Sequence, residues 1–96
     1  MKDTAFLINA ARGPLIDEAA LLQALKNHQI AGAALDVYEF EPQVTKGLEK
    51  LSNVILTPHI GNASVEARDQ MAEIVANNAI AIEKHESIKH IVNGLE

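Results

Sequence analysis

The sequence has no cysteine and no tryptophan, and only 3% of its 96 residues are aromatic. The absence of cysteine excludes a disulfide framework and a thiolate metal site, and it fits a cytoplasmic location. Because aromatic side chains are scarce, the hydrophobic core has to come from Ala, Leu, Ile and Val. The length suffices for one small domain and not for two.

Clusters of basic residues and long apolar runs are missing as well. The formal net charge is -5 and the sequence pI is near 5.3, whereas a domain that binds nucleic acid needs clustered Lys and Arg. No apolar run approaches the ~20 residues that a membrane-spanning helix requires, and the N-terminus has no signal-peptide pattern. We therefore expect neither a nucleic acid nor a membrane as a partner.

Three short apolar runs are present, and residues that terminate strands follow them. Residues 5–8, 31–37 and 54–57 are predicted to be buried strands of a parallel sheet. Pro58 ends the third run, because proline restricts its own φ and the conformation of the residue before it. Between the second and third runs, residues 45–51 could hold one or two helical turns.

Two helices are predicted from capping residues and apolar periodicity. Asp17 is a good N-cap for a helix over residues 18–26, which Asn27 could end in the left-handed conformation. Ser64 caps a second, long helix that runs to about Lys84. Apolar residues cover a broad side of this second helix, so we expect it to bury a wide surface.

The order of elements is strand, helix, strand, crossover, strand, long helix. This alternation predicts an α/β fold with a parallel sheet and right-handed crossovers. Three strands with a crossover helix make about half of a doubly wound, Rossmann-like sheet, which the long C-terminal helix follows. Such a sheet would have one bare face and at least one bare edge, so we expect the chain to be incomplete.

A charged side chain follows each predicted strand. Arg12 comes after the first strand, Asp36 and Glu41 after the second, and His59 after the third. Because the carboxyl ends of parallel strands lie along one edge, where open α/β folds bind ligands, these groups should converge.

The three side-chain types suit one reaction. Arg12 can hold a carboxylate with two hydrogen bonds and polarise a neighbouring carbonyl. His59 can give a proton to an oxygen that gains negative charge and take it back in the reverse direction. Glu41 can fix the tautomer of the imidazole and favour its protonated form. The set fits interconversion of a 2-keto acid and a 2-hydroxy acid, for which a nicotinamide would supply the hydride.

Each of these residues also has a purely structural interpretation. His59 could be an ordinary turn residue, and Arg12 could cap a carbonyl or pair with Asp17. Glu39 competes with Glu41 as the partner of the histidine.

Two further sets of residues also have a structural interpretation that involves no function. Asp36 could accept backbone hydrogen bonds at the end of a strand. His85 and His90 could bind a metal, but no third ligand at helical spacing accompanies them. We therefore predict no metal site, and we expect His28, His85 and His90 to be surface residues.

Three segments together resemble signatures of the D-isomer-specific 2-hydroxyacid dehydrogenases. The segments are NAARGPLID at residues 9–17, LDVYEFEP at 35–42 and TPHIG at 57–61. This family includes D-lactate, glyoxylate/hydroxypyruvate and D-3-phosphoglycerate dehydrogenases. The resemblance runs from Met1 to about Asn93, and three motifs in order are far more specific than one.

The resemblance implies a role for each site residue. Arg12 is similar to the family's substrate-carboxylate arginine, Glu41 to the glutamate paired with the histidine, and His59 to the acid/base. Asp36 is similar to the aspartate that binds the nicotinamide carboxamide. The implied cofactor is NAD, with NADP not excluded, and its implied contacts are Ala10, Ala11, Arg12, Asp36, His59 and Gly61.

One departure from the family pattern is large. The glycines stand at 13, 32, 47, 61 and 94, so no Gly-x-Gly-x-x-Gly pyrophosphate loop is present. We therefore expect residues 1–61 to be the C-terminal half of a dinucleotide-binding domain. Residues 62–94 would be a long helix and tail that return toward a substrate domain, and Leu95 and Glu96 resemble a cloning scar.

Two functional hypotheses follow. The first is the C-terminal segment of an NAD(P)-dependent dehydrogenase that acts on a small 2-keto or 2-hydroxy acid, is cytoplasmic and forms a homodimer. The second is a non-catalytic chain that self-associates or acts as an interaction module. Its bare sheet edge and its wide apolar helix would then be covered by another copy of the chain or by the missing segment.

Overall fold

The computed structural model describes residues 1–92. Residues 93–96 lie outside this part, and so does the interpretation of Leu95 and Glu96 as a cloning scar. The chain divides into two compact units, the first from Met1 to Gly61 and the second from Asn62 onward. Within residues 1–92, no helix is both long enough and apolar enough to cross a membrane.

The first unit is built on a sheet of three parallel strands, as predicted. The strands are β1 (Phe6–Asn9), β2 (Gly32–Leu35) and β3 (Val54–Leu56), and β2 lies in the centre. β2 is shorter than the apolar run that predicted it. Two hydrogen bonds continue the ladder past its end: the Asp36 N–H donates to the Asn9 carbonyl, and the Thr57 N–H donates to the Leu35 carbonyl. All three strands therefore end at one edge.

One face of the sheet is covered by the first helix, α1 (Glu18–Lys26). The Asp17 side chain accepts a hydrogen bond of 3.0 Å from the Ala20 N–H, so the predicted N-cap is confirmed. The core combines buried helix residues with strand residues on the same side. Its members include Leu21, Leu22, Leu25, Ala33, Leu35, Tyr38 and Leu48, with Leu7, Val54 and Leu56 packed against them.

The predicted left-handed end of α1 is wrong by one residue. Asn27 has φ -89°, and the left-handed residue is His28, with φ 52°. The backbone N–H of His28 donates to the Leu25 carbonyl, and the N–H of Gln29 donates to the Ala24 carbonyl. This pair of bonds needs the left-handed turn one position after the last helical hydrogen bond.

The opposite face of the sheet is bare, as expected. Phe6 is 71% exposed, Ile8 73% and Ile55 67%. Ile8 and Ile55 lie in one row across the sheet, on either side of Ala34. The face is therefore a continuous apolar surface.

Two single turns of 3-10 helix shape the loops of the first unit. Gly13–Leu15 follows β1, and Leu48–Lys50 precedes β3. The second turn begins at Gly47, whose φ of 107° is unfavourable for any residue with a side chain. The segment that could hold one or two helical turns thus forms one.

The second unit is dominated by α2 (Val65–Glu83), and Ser64 accepts a hydrogen bond of 3.1 Å from the Ala67 N–H. The predicted cap and length are confirmed. The expectation that α2 buries a wide surface is wrong for the described chain: no residue of the helix is buried, and Val75 is 69% exposed.

Candidate active site

The loop that carries Arg12 is held by the side chain of Asn9, the last residue of β1. Asn9 is buried, its Nδ2 donates to the Arg12 carbonyl at 2.9 Å, and its Oδ1 accepts from the Ala11 N–H at 3.1 Å. Both bonds bend the chain back on itself, as in an Asx-turn. The predicted loop over Ala10 and Ala11 thus has a buried anchor that the sequence analysis did not identify.

Gly13 brings this loop against the segment that carries Glu41. A Cβ atom at Gly13 would lie 1.8 Å from the carbonyl oxygen of Tyr38, so only glycine permits the approach. The Arg12 guanidinium donates to the Ala11 carbonyl at 2.7 Å. The close approach brings the arginine loop and the glutamate segment together at the carboxyl edge of the sheet.

Tyr38 ties the ends of β2 and β3 to each other. Its buried hydroxyl lies 3.1 Å from the Leu35 carbonyl oxygen and 2.6 Å from that of Thr57. Burial, and next the negative charge of Asp36, raise the pKa of Tyr38, so the phenol keeps its proton as a donor. The sequence analysis did not identify this tyrosine, because neither carbonyl partner has a sequence signal.

Glu41 and His59 form a hydrogen-bonded ion pair. Oε2 of Glu41 lies 2.9 Å from Nδ1 of His59, and Oε1 accepts from the Tyr38 N–H at 3.0 Å. These two bonds, in that order, lower the pKa of Glu41, and the positive charge of Arg12 lowers it further. An ionised carboxylate can only accept, so Nδ1 carries a proton and Nε2 is left for other chemistry.

Asp36 holds the loop on which His59 stands. Its Oδ1 accepts from the Thr57 hydroxyl and from the Ile60 N–H, the latter at 2.9 Å, and its Oδ2 accepts from the Gly61 N–H at 2.9 Å. The bond from Thr57, followed by that from Ile60, lowers the pKa of Asp36.

This network fixes an unusual backbone conformation at the histidine, whose φ is 56°. The backbone-acceptor interpretation of Asp36 therefore describes its bonds in the structure. Gly61 fits closely beside it, because a Cβ there would lie 3.0 Å from Asp36 Oδ2.

Glu39, the competitor of Glu41, is engaged elsewhere. Its Oε2 accepts from the Glu18 N–H at 2.9 Å, at the start of α1. Among residues 1–92 the ion pair of His59 and Glu41 is the one salt bridge, so the alternative pair of Arg12 with Asp17 does not form there. Of the two glutamates, Glu41 is the one that contacts the imidazole.

The other three histidines also have left-handed backbone conformations, and two of them lie at helix ends. His28 and His85 take left-handed φ values of 52° and 55° at the ends of the two helices, and His90 has φ 62° in the tail. In the part of the chain that the structure describes, no group of three or more His, Cys, Asp or Glu side chains could hold a metal ion.

A shallow concavity opens at the carboxyl edge, on the bare side of the sheet. Ala10, Ala34, Asp36 and Thr57 are among its lining residues. The alanines leave room for a flat ring, and the carboxylate of Asp36 adds an acceptor at the rim. These residues fit the nicotinamide end of a dinucleotide. No glycine-rich phosphate loop occurs within residues 1–92, so this part of the chain fits half of such a site.

A family model agrees with this geometry. The model for the NAD-binding domain of D-isomer specific 2-hydroxyacid dehydrogenases matches residues 1–61. The chain belongs to this family. The resemblance carried by the three sequence motifs is thereby confirmed, together with the α/β fold and the NAD-binding character of the domain.

Individual relatives extend the match beyond the first unit. A Staphylococcus aureus (strain MRSA252) protein, whose name assigns it to the 2-hydroxyacid dehydrogenases, is 62% identical over 93 residues, which are 97% of this chain. The chain spans only 29% of that protein.

Solved structures give the same result. A glyoxylate reductase from Paecilomyes thermophila has a TM-score of 0.87 and 44% identity, over 99% of this chain and 29% of that one. A D-isomer specific 2-hydroxyacid dehydrogenase from Xanthobacter autotrophicus Py2, in complex with NADPH and MES, has a TM-score of 0.79 and 40% identity. That match covers 97% of this chain and 38% of the other.

Proposed function

We propose that this chain provides the acid/base and substrate-anchoring residues of an NAD(P)-dependent D-2-hydroxyacid dehydrogenase. The substrate would be a small 2-keto acid or 2-hydroxy acid. The observation that carries the proposal is the pairing of His59 Nδ1 with Glu41 at 2.9 Å, on the sheet edge that also holds the Arg12 loop. The family membership of residues 1–61 supports it.

Arg12 anchors the substrate in this proposal. Its planar guanidinium can take a carboxylate with two parallel hydrogen bonds, which fixes the orientation of the neighbouring carbonyl. The buried Asn9 amide fixes the loop beneath it. A preorganised anchor lowers the entropy cost of bringing the carbonyl to the acid.

His59 is the general acid in reduction and the general base in oxidation. Because Nδ1 is committed to Glu41, Nε2 is the atom that exchanges a proton with the substrate oxygen. The carboxylate of Glu41 holds the ring through Nδ1–H, which fixes its tautomer and its orientation. Glu41 is thus a partner of the histidine and not a proton donor.

A bound nicotinamide cofactor supplies the hydride in this chemistry. Asp36 would face its carboxamide, and Ala10, Ala11 and Gly61 would lie against it. We propose NAD, in keeping with the family, and retain NADP as an alternative, because the acidic residue that separates the two follows the glycine-rich loop in such domains.

We propose further that the complete enzyme is a cytoplasmic homodimer. A second candidate function, self-association of the chain without catalysis, is favoured by the bare apolar face of Phe6, Ile8 and Ile55. Both functions are compatible, because the reacting groups lie at the edge of the sheet and not on that face.

The decisive experiment replaces His59 in the complete dehydrogenase chain. His59→Gln should lower kcat by about 10²- to 10⁴-fold, the usual contribution of general acid–base catalysis. Because the substitution removes proton transfer and leaves the carboxylate anchor, KM should change far less than kcat. Steady-state kinetics in both directions measures this.

His28→Gln is the matched control. His28 has the same side chain and the same left-handed backbone, but it ends α1, away from the carboxyl edge. Its turnover should be unchanged. Near-normal turnover by the His59 variant would remove the proposed acid/base from the mechanism.

A further inference from the structure

The carboxyl group of Glu18 lies buried in the first unit and has none of the roles described above. Glu18, the first residue of α1, is 1% exposed, and the one ion pair within residues 1–92 does not include it. A buried carboxyl group is costly unless hydrogen bonds compensate for the lost water. Its partners therefore indicate what the group does.

Glu18 is bonded to two points of a single loop. Its Oε1 accepts from the Thr45 hydroxyl at 2.7 Å, and the Thr45 backbone nitrogen lies 3.4 Å from the same oxygen. Its Oε2 accepts from the Glu39 N–H. The arrangement is reciprocal, because the Glu39 side chain accepts from the Glu18 N–H at 2.9 Å.

The two points flank Glu41. Glu39 lies two residues before it and Thr45 four residues after it. The Tyr38 N–H, which holds Oε1 of Glu41, comes directly before Glu39 in the chain. The bonds to Glu18 therefore constrain both ends of the segment that presents Glu41 to His59.

We propose that Glu18 is a positioning residue that holds the 39–45 loop so that Glu41 meets the imidazole of His59. The inference rests on the function proposed above, in which this pair is the acid/base unit. It adds a link between α1 and the carboxyl edge of the sheet.

Capping of α1 does not account for these contacts. Asp17 is the N-cap, and its side chain already accepts from the Ala20 N–H. Both oxygens of Glu18 bond to the loop instead. A carboxylate at a helix start also interacts favourably with the helix dipole, but that interaction needs no contact with Thr45 or Glu39.

The test replaces Glu18 with Gln in the chain without cofactor or substrate. The Glu39 N–H and the Thr45 hydroxyl each donate to one oxygen of Glu18. Glutamine keeps only one acceptor oxygen and has an NH2 donor in place of the other, so one end of the loop should be released. The ¹³C carboxyl signal of Glu41 reports its pKa, which should rise from its lowered value toward the ordinary one. The ¹⁵N signals of the His59 ring should lose the signature of a hydrogen-bonded Nδ1–H.

Two variants accompany Glu18→Gln. Asp17→Ala removes the helix cap, and the Asp17 side chain bonds to the Ala20 N–H and not to the loop, so the Glu41 titration should stay as in the parent chain. Thr45→Val keeps Glu18 and removes one hydroxyl donor, so it should shift the Glu41 titration in the same direction by less. Thr45→Val also tests the positioning role of Glu18 if Glu18→Gln does not fold.

An unchanged Glu41 titration in folded Glu18→Gln, or in Thr45→Val, would overturn the proposal. So would an equal shift in Asp17→Ala, since the position of α1 alone would then be responsible. None of these signals depends on turnover. A failure of the proposed catalytic role would appear in the kinetics of the His59 variant. It would not change the Glu41 titrations expected for the Glu18, Thr45 and Asp17 variants.

Discussion

The two units of this chain use similar apolar residues with opposite results. In the first unit Leu25 and Leu48 are almost completely buried, with 1% and 0% exposure. In the second, Val65 and Val75 of α2 are 72% and 69% exposed. The apolar periodicity of both helices is evident in the sequence. What differs is that the first unit contains a sheet face against which α1 packs. Periodicity therefore predicts that a helix has a surface that needs covering, but it does not predict what covers that surface.

Stability should therefore respond very differently to truncation in the two units. Leu25→Ala should lower the free energy of unfolding by about 2–5 kcal/mol, because it removes packed methyl groups and leaves a cavity. Val75→Ala should change it by about 0.5 kcal/mol or less, as exposed helix positions do. Urea unfolding followed by circular dichroism measures both, and equal losses would contradict the burial difference.

Self-association should distinguish the bare face of the sheet from the exposed helix. If copies of the chain meet through the sheet, Ile55→Lys removes a contact worth about 1.5–3 kcal/mol, which weakens the dimer about ten- to a hundredfold. Val75→Lys on α2 is the matched control and should leave association nearly unchanged. Light scattering over a range of concentrations measures the dissociation constant of the dimer for each variant. A larger effect at Val75 would show that copies of the chain meet through α2 instead of the sheet.

Acid should loosen the carboxyl edge and spare the start of α2. The pKa values of Asp36 and Glu41 lie below the ordinary 3.8 and 4.5 in the folded chain. Their hydrogen bonds therefore contribute fully above those ordinary values, and the contribution is lost as the pH falls through the lowered values. In that pH range the amides of Gly61 and Tyr38 should lose their protection from hydrogen exchange, whereas the amide of Ala67, which donates to the Ser64 hydroxyl, should keep it.

Local features were predictable because their causes lie within a few residues. The bounds of α1, the caps at Asp17 and Ser64, and the end of β3 before Pro58 all follow from side chains next to the backbone they affect. The sequence predicts the left-handed residue after α1 at Asn27, one position before His28, where the structure has it. Asn tolerates the left-handed conformation better than most residues do, but the hydrogen-bonding register at the helix end decides the position.

The candidate site residues depend on a different kind of signal. Strand ends and family motifs predict Arg12, Glu41 and His59 as candidates, but they do not predict the contacts of these side chains. Asn9 and Tyr38 hold the loops from inside, and nothing in their local sequence distinguishes them from ordinary strand-end residues. The clearest available signal was Gly13, because glycine beside a charged loop residue is typical of a close backbone approach.

By itself, the sequence determined the parallel α/β alternation, the helix caps, and the charged residues that follow each strand. These depend on the period of apolar residues and on bonds between neighbours in the chain. The family motifs already named Glu41 as the partner of His59, but only the tertiary structure decided that Glu39 bonds to Glu18 instead, that Asp36 holds the histidine loop, and that Glu18 bonds to both sides of Glu41. Each of these contacts joins residues 21 to 27 positions apart, so the path of the chain between them selects the partner.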